Sequence, residues 1–321
     1  LDRQNIAQNE LYCMGTLISQ KIFGPNSMHA IKASELEIKR LNNMLSRFVS
    51  DSDITKINSA AGLMPVMVSD EAFRLLKYSA ECSRIYNGCF DITVGSIATL
   101  WNEYKIKKIS PVRKDIRKQL AKVNFRDILF DPDNSSVLLK KKGQSIDLGG
   151  IAKGYASDKV LEVYKNFGIE SAFVNFGGNV AVLGSKPDDS PWNVGIRHPR
   201  HKDSVIGVVA VKNKSVITSG DYQRYYIDNS GKHYHHILNP KTGYPANSGL
   251  ISVTVVAESG VLADALSTIF FIAGVEKSIR ILEYFPNIDV VFIDNDLNLS
   301  ITPKLTCSFI PLDGIKVSEL D

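Results

Sequence analysis

Asp264, Ser267 and Thr268 stand at i, i+3 and i+4 in the run VLADALSTIF, Val261 to Phe270. On a helix, that spacing gives one face a carboxylate and two hydroxyls. Hard cations such as Mg²⁺ favour oxygen ligands of this kind. Leu262, Leu266, Ile269 and Phe270 make the run apolar, and a carboxylate in an apolar setting must find a partner. Two partners suit it: a metal ion, or neighbouring backbone that the Asp caps or bonds.

Four other stretches carry residues with chemical potential. In DLGGIAKGYA, Asp147 to Ala156, a strand ends at Asp147, two glycines turn the chain and a helix begins. Amides exposed at a helix start bind anions, and Lys153 adds positive charge there. A plain strand–turn–helix corner is the other reading. The spacing is neither G-x-x-x-x-G-K-[ST] nor G-x-G-x-x-G. In NGCFDITVGSIATLW, Asn87 to Trp101, Phe90 could flank a planar ring while Asp91 accepts hydrogen bonds, or Asp91 could simply cap a helix start. In VNFGGNVAVLG, Gly177 and Gly178 either let the backbone approach another group or make a tight turn between strands.

Three histidines fall in HYHHILNPKTGYP. Strand alternation sets His233 and His235 on one side and His236 on the other, which works against a convergent metal site. A single functional His, acting as a general base near neutral pH, is the better use of them. The turn Asn239 to Gly243 could pin Leu238 against a ligand.

The elements that must position these residues are legible from periodicity and turn signals. Leu11 to Phe23 reads as one strand containing Met14 to Thr16, and Ser27 to Leu45 as a helix. LSRFVSDSDITKIN reads as a loop. Helices are predicted over Asp70 to Tyr86, Ile92 to Trp101, Lys114 to Lys122, Ala152 to Phe167 and Val275 to Tyr284, besides the Asp264 helix. Strands are predicted over Ile128 to Phe130, Ser136 to Leu139, Ser145 to Leu148, Ala172 to Phe176, Val205 to Lys212 and Ser215 to Thr218, and further over Ile251 to Val256 and Asp289 to Ile293. Tyr225 to Asp228 should pair with His233 to Leu238 across Asn229-Ser230-Gly231. Hairpin-joined strands with interspersed helices predict an α+β fold with largely antiparallel sheet, not a doubly wound parallel one.

Composition narrows the function classes. The 321 residues suffice for one large domain or two ordinary ones. Hydrophobic content of 44% and a mean hydropathy of −0.05 fit a soluble globular chain. No apolar run approaches the roughly 18 residues of a membrane span. The polar start LDRQNIAQNE is no signal peptide, and a start at Leu1 is compatible with an upstream leader or anchor. Net charge is +4, with basic groups at Lys105 to Lys108, Arg113 to Lys118 and Lys140 to Lys142. They read as solvated faces, with no base-reading module and hence no nucleic-acid partner. Cys13, Cys82, Cys89 and Cys307 lack metal-type spacing and read as small packed residues.

Taken in order, MGT, LSRF, GCFDITVG, DLGGIAKGYA, FGGN, SGDYQRYY, HHILNPKTGYP and ADALST resemble the ApbE family of FAD:protein FMN transferases. The likeness runs over about residues 14–293 of a single domain region 1–321, leaving 294–321 as a C-terminal extension. The resemblance implies an ApbE-like (T-fold-like) architecture, FAD as substrate and Mg²⁺ as cofactor. It implies transfer of FMN to a Ser or Thr hydroxyl of an acceptor flavoprotein through a phosphoester bond, with release of AMP. Flavin-binding positions would be Met14, Phe48, Cys89, Phe90, Asp91, Asp147, Lys153 and Leu238. The ion would take Asp264, Thr268 and the Gly150 carbonyl, with Ser267 where some relatives add a ligand, and His236 would assist transfer. By the resemblance, Gly150 stands where many relatives have Ala, Phe48 where some have Tyr, and Cys89 in place of a small residue, commonly Ala. A Mg²⁺-dependent FAD pyrophosphatase and a non-catalytic FAD carrier are the alternatives. The resemblance further implies an extracytoplasmic protein, lipid-anchored upstream of residue 1 at the periplasmic face, serving a redox-pump or reductase subunit; a cytoplasmic member would read alike.

Overall fold

A computed structural model describes residues 5–312 and 314–320; residues 1–4 and the last residue of the expected span 1–321 lie outside it. The chain divides into two compact units. One comprises Leu1–Leu41, Ile151–Gly220 and Ser248–Asp321, the other Asn42–Gly150 and Asp221–Asn247. Among the described residues no helix is long and apolar enough to cross a membrane.

The first unit is built on a sheet of nine strands among the described residues. In spatial order they are Ile6–Cys13, Thr16–Phe23, Ser171–Phe176, Asn179–Leu183, Ser215–Gly220, Leu250–Ala257, Asp289–Asp294, Leu299–Ile301 and Val317–Glu319. Every pairing is antiparallel except the last. Strand alternation assigns the faces. Val180, Val182, Val216 and Val256 meet Val194, Ile196, Val209 and Phe309 in one apolar core. The latter four belong to a small sheet of Trp192–Arg197, Val205–Val211 and Phe309–Pro311. The alternate residues, Asn179, Ile217 and Ser219, therefore point to the opposite face. Helices Ala152–Asn166 and Gly260–Ala273 pack there.

Those two helices touch backbone to backbone. A Cβ on Gly154 would lie 2.1 Å from the Gly260 carbonyl oxygen and 2.6 Å from Asp264 Cβ. The start of the Gly260–Ala273 helix is held by its neighbour: Gly260 N–H and Val261 N–H donate to the Asp158 carboxylate at 2.7 and 3.0 Å. The Ser259 hydroxyl caps Leu262 N–H at 3.3 Å.

The second unit holds helices Asp53–Ser59, Asp70–Ile85, Gly95–Ile106 and Arg113–Leu120, with a small sheet of Val66–Met67, Ser136–Leu139 and Ile128–Asp131. Ile97, Leu100, Trp101, Ile116 and Tyr234 form a core. Trp101 Nε1–H donates to the Gly243 carbonyl at 2.8 Å, tying the 239–243 turn to that core. The hairpin Tyr225–Ile227 with His233–His235 pairs Tyr225 with His235 and Ile227 with His233, as expected. The His235 ring then fastens the following loop. Its Nε2 lies 2.9 Å from the Ala246 carbonyl and its Nδ1 accepts from Ile237 N–H at 3.2 Å. Burial pushes the His235 pKa down, in keeping with this neutral tautomer.

The α+β class stands, and several local expectations are corrected. Leu11 to Phe23 is not one strand: Met14 and Gly15, at φ 51° and 70°, make a two-residue hairpin turn between two strands. The expected loop after Leu45 contains the helix Asp53–Ser59, capped by Ser52. Ser145 to Leu148 forms no strand, only a bridge from Ser145 to Val94. The third predicted helix starts at Gly95 instead of Ile92. Asp91 is no helix cap: the N-cap residue is Val94, without a side-chain bond. Segment 294–321 contributes two strands to the large sheet.

Gly154→Ala inverts the usual propensity rule. Alanine ordinarily stabilises a helix interior by about 1 kcal/mol over glycine. Here the added methyl meets backbone, and the urea midpoint should instead report a loss of about 1–3 kcal/mol; a gain would disprove the close crossing. For His235, the folded pKa lies below the unfolded value, so the unfolded state takes up the proton first as pH falls. Stability is complete above the unfolded pKa, about 6.5, and drops as pH falls through the window beneath it. Urea melts at pH 7 and 5 should show that drop in the parent, and a smaller one in His235→Gln. Equal drops would mean that His235 titrates normally.

Candidate active site

In the first unit the three expected oxygen ligands do share one helical face. Asp264 is 3% exposed. Its Oδ2 accepts the Gly154 N–H at 2.9 Å, and its Oδ1 accepts Asn179 Nδ2–H at 3.2 Å. Lys153 Nζ stands 3.8 Å from the same Oδ1. Gly154 is the third residue of its helix, so the anion bound at that helix start is Asp264 itself. One turn on, Ser267 Oγ–H donates to the Asp264 carbonyl at 2.9 Å. Ser219 Oγ lies 2.9 Å from Ser267 Oγ and 3.4 Å from Thr268 Oγ1. The backbone partner that the sequence allowed Asp264 is present as the Gly154 amide, and the carboxylate stands one turn from a cluster of hydroxyls.

That donor set suits a hard divalent cation, being all oxygen with one carboxylate. Among the described residues no group of three or more His, Cys, Asp or Glu gathers that could hold a metal. A cation at this helix would therefore draw on hydroxyl and carbonyl oxygens beside Asp264. Asn179 and Ser219 were not picked out as site residues from sequence. Their signal is strand parity: each alternates with core valines, which aims it at the helix. Met14, also in this unit, occupies the hairpin turn and is half-buried.

In the second unit the glycine corner is shaped by Asp147. Its Oδ1 accepts Gly149 N–H at 2.8 Å, and its Oδ2 pairs with Arg47 Nη1 at 2.8 Å. Arg47 also donates to the Gly95 carbonyl at 3.1 Å and to the Thr99 hydroxyl. Arg47 is a functional candidate that the motif LSRF contained but that sequence alone did not single out. Its guanidinium carbon lies 5.4 Å from the centre of the Phe48 ring. That ring is 80% exposed, which leaves its face open to a planar ligand. Gly150 ends the first of this unit's two segments, Asn42–Gly150.

Phe90 and Asp91 are both buried in the interior of this unit. The buried Asp91 carboxylate accepts Thr93 N–H at 2.8 Å, the Thr93 hydroxyl at 2.6 Å and Phe125 N–H at 2.9 Å. Burial pushes its pKa up against these bonds. It fastens the chain around Cys89, which is half-buried. Leu238 is half-buried, bridged to Pro245 and packed against the Trp101 core. His236 is exposed. Its N–H donates to the Arg224 carbonyl at 3.0 Å and its Nδ1 lies 3.1 Å from that same oxygen. A carbonyl only accepts, so in that contact Nδ1 is the donor.

The model of the ApbE family matches residues 14–292. The FAD:protein FMN transferase of Klebsiella pneumoniae is 33% identical over 302 residues, covering 94% of this chain and 93% of its own length. That of Treponema pallidum is 33% identical over 303 residues, covering 88% and 83%. The crystal structure of the ApbE protein from Thermotoga maritima is similar at a TM-score of 0.87 and 32% identity, covering 95% of this chain and 99% of that one. The Vibrio cholerae flavin transferase ApbE, 24% identical with a TM-score of 0.83, shares the fold. A family match over most of the chain, with relatives one-third identical along nearly their whole lengths, makes this protein a member of the ApbE family.

Proposed function

We propose that this chain transfers the FMN portion of FAD to a Ser or Thr hydroxyl of an acceptor flavoprotein, releasing AMP. The observation that carries this is the buried Asp264, set in a cluster of hydroxyls, in a chain so similar to proteins named for that activity. In the reaction the acceptor oxygen bonds to the phosphorus on the FMN side. The bond from that phosphorus to the AMP phosphate breaks, and AMP leaves with the electron pair. The hydroxyl proton passes to the His236 ring.

Mg²⁺ belongs to the same proposal, with Asp264, Thr268 and Ser267 as its side-chain ligands and the Gly150 carbonyl as the backbone one. Bound there, the ion would neutralise the diphosphate and stabilise charge on the departing AMP. The protein's own groups do the rest. The Gly154 amide and Asn179 hold the Asp264 carboxylate in one orientation. Lys153 keeps a positive charge beside it. Asp147 and Arg47 hold the glycine corner rigid, and the Phe48 face is offered to the isoalloxazine. An extracytoplasmic location with a lipid anchor, and an acceptor in a redox pump or reductase, go with this proposal. Fractionation of cells expressing the full-length gene product tests the location.

The deciding assay incubates the protein with FAD, Mg²⁺ and a candidate acceptor domain. Flavin fluorescence on the acceptor band is expected; free FMN without labelling would mean a pyrophosphatase, and no AMP at all a carrier. Asp264→Ala should leave no detectable AMP at millimolar Mg²⁺ while FAD binding weakens less. Unchanged turnover would remove Asp264 from the ion site. His236→Ala should slow transfer by about 100-fold, the scale of a lost general base, with FAD affinity little changed. A normal rate in that variant would show that the proton goes elsewhere.

A further inference from the structure

The strongest charge feature of the chain lies outside the groups used above. Between Lys105 and Lys118 there are seven Lys and Arg and one carboxylate, Asp115. That segment is therefore +6 in a chain of net +4, and the remainder is −2. Asp115 is itself occupied, accepting the Tyr104 hydroxyl at 2.7 Å. Among the described ion pairs none involves these seven cations. A merely solvated basic face would be polar throughout, and this one is not. Ile106 is 85% exposed, and Ile109, Val112 and Ile227 are exposed beside the cations. Single exposed aliphatics are ordinary; a cluster framed by one sign of charge marks an interaction surface.

The cluster is tied to His236. Asn229 N–H donates to the Lys108 carbonyl at 2.8 Å, and the Tyr226 hydroxyl donates to the Ile109 carbonyl at 3.0 Å. Both belong to the hairpin whose second strand, His233–His235, runs directly into His236. Three strand residues span about 10 Å, so one short peptide could lie along this hairpin with its hydroxyl near the histidine.

We infer that this basic and aliphatic ridge is the docking surface for the acceptor protein, and that it takes an acidic segment flanking the modified Ser or Thr. The occupant is chosen by charge complementarity and by continuity with His236; an anionic membrane would satisfy the charge but not the link to the histidine. The identity of the occupant as an acceptor rests on the transferase proposal.

The test uses two fluorescent peptides of equal length, each centred on one Thr. One is flanked by Asp and Glu, the other by Lys and Arg at the same positions. Both are titrated against the FAD-loaded protein by anisotropy. The acidic peptide should bind about tenfold tighter, with the preference fading as salt rises. The triple variant Lys105→Glu, Lys107→Glu, Lys108→Glu should lose that preference while flavin fluorescence reports unchanged FAD binding. Ile106→Ser should weaken the acidic peptide without altering the salt dependence. Equal binding of the two peptides, or a triple variant that binds like the parent, overturns the inference. So does sedimentation with phosphatidylserine vesicles in the absence of any peptide preference. Tight acidic-peptide binding by a protein that labels no acceptor would support the ridge and strike the transferase proposal alone.

Discussion

A buried carboxylate next to a helix start is the constraint around which the first unit is arranged. Asp264 is placed where water is scarce, so each oxygen needs a donor. The Gly154 amide supplies one and Asn179 the other. The amide can reach only because two helices cross at glycines, and Asp158 holds the second helix at that crossing. Remove the close approach and the carboxylate is left short of a partner in an apolar setting. The same geometry aims Ser267 and Thr268 at Ser219, since residues three and four apart share a helix face. The packing of the two helices and the gathering of these oxygens thus have one cause.

The second unit shows a different economy. Two of its carboxylates bond the backbone of loops. Asp147 is spent on the Gly149 amide and Arg47, and Asp91 on Thr93 and Phe125. Of the adjacent histidines, His235 has both ring nitrogens engaged by backbone, whereas His236 is exposed with its Nδ1 against one carbonyl. Two residues identical in chemistry and neighbouring in sequence are separated in environment by the end of a three-residue strand. Burial depresses the basicity of the first, which suits a structural part and would suit a proton acceptor poorly.

Much of this was legible in the order of residues. The i, i+3, i+4 oxygens of the Asp264 helix, the hairpin before His236 and the antiparallel character of the sheet all follow from periods of 3.6 and 2 and from turn chemistry. What sequence misjudged were short elements. The helix Asp53–Ser59 hides in a Ser- and Asp-rich run because its Ser52 is a cap, and Met14 sits in a turn that looks like continuous strand. The burial of Phe90 is likewise unread, because it depends on what packs over the ring.

Local periodicity, then, determined which residues share a face, because that depends only on backbone geometry a few residues long. It also determined the family, because the motifs and their order are a property of the string. Tertiary structure alone decided who meets whom: that Gly154 is a crossing point, that Asn179 and Ser219 face the Asp264 helix, that Arg47 grips Asp147, and that Ile106 and Ile109 stay exposed among their lysines. Each of those joins residues distant in the chain, or sets exposure by what is packed nearby, and neither has a local code.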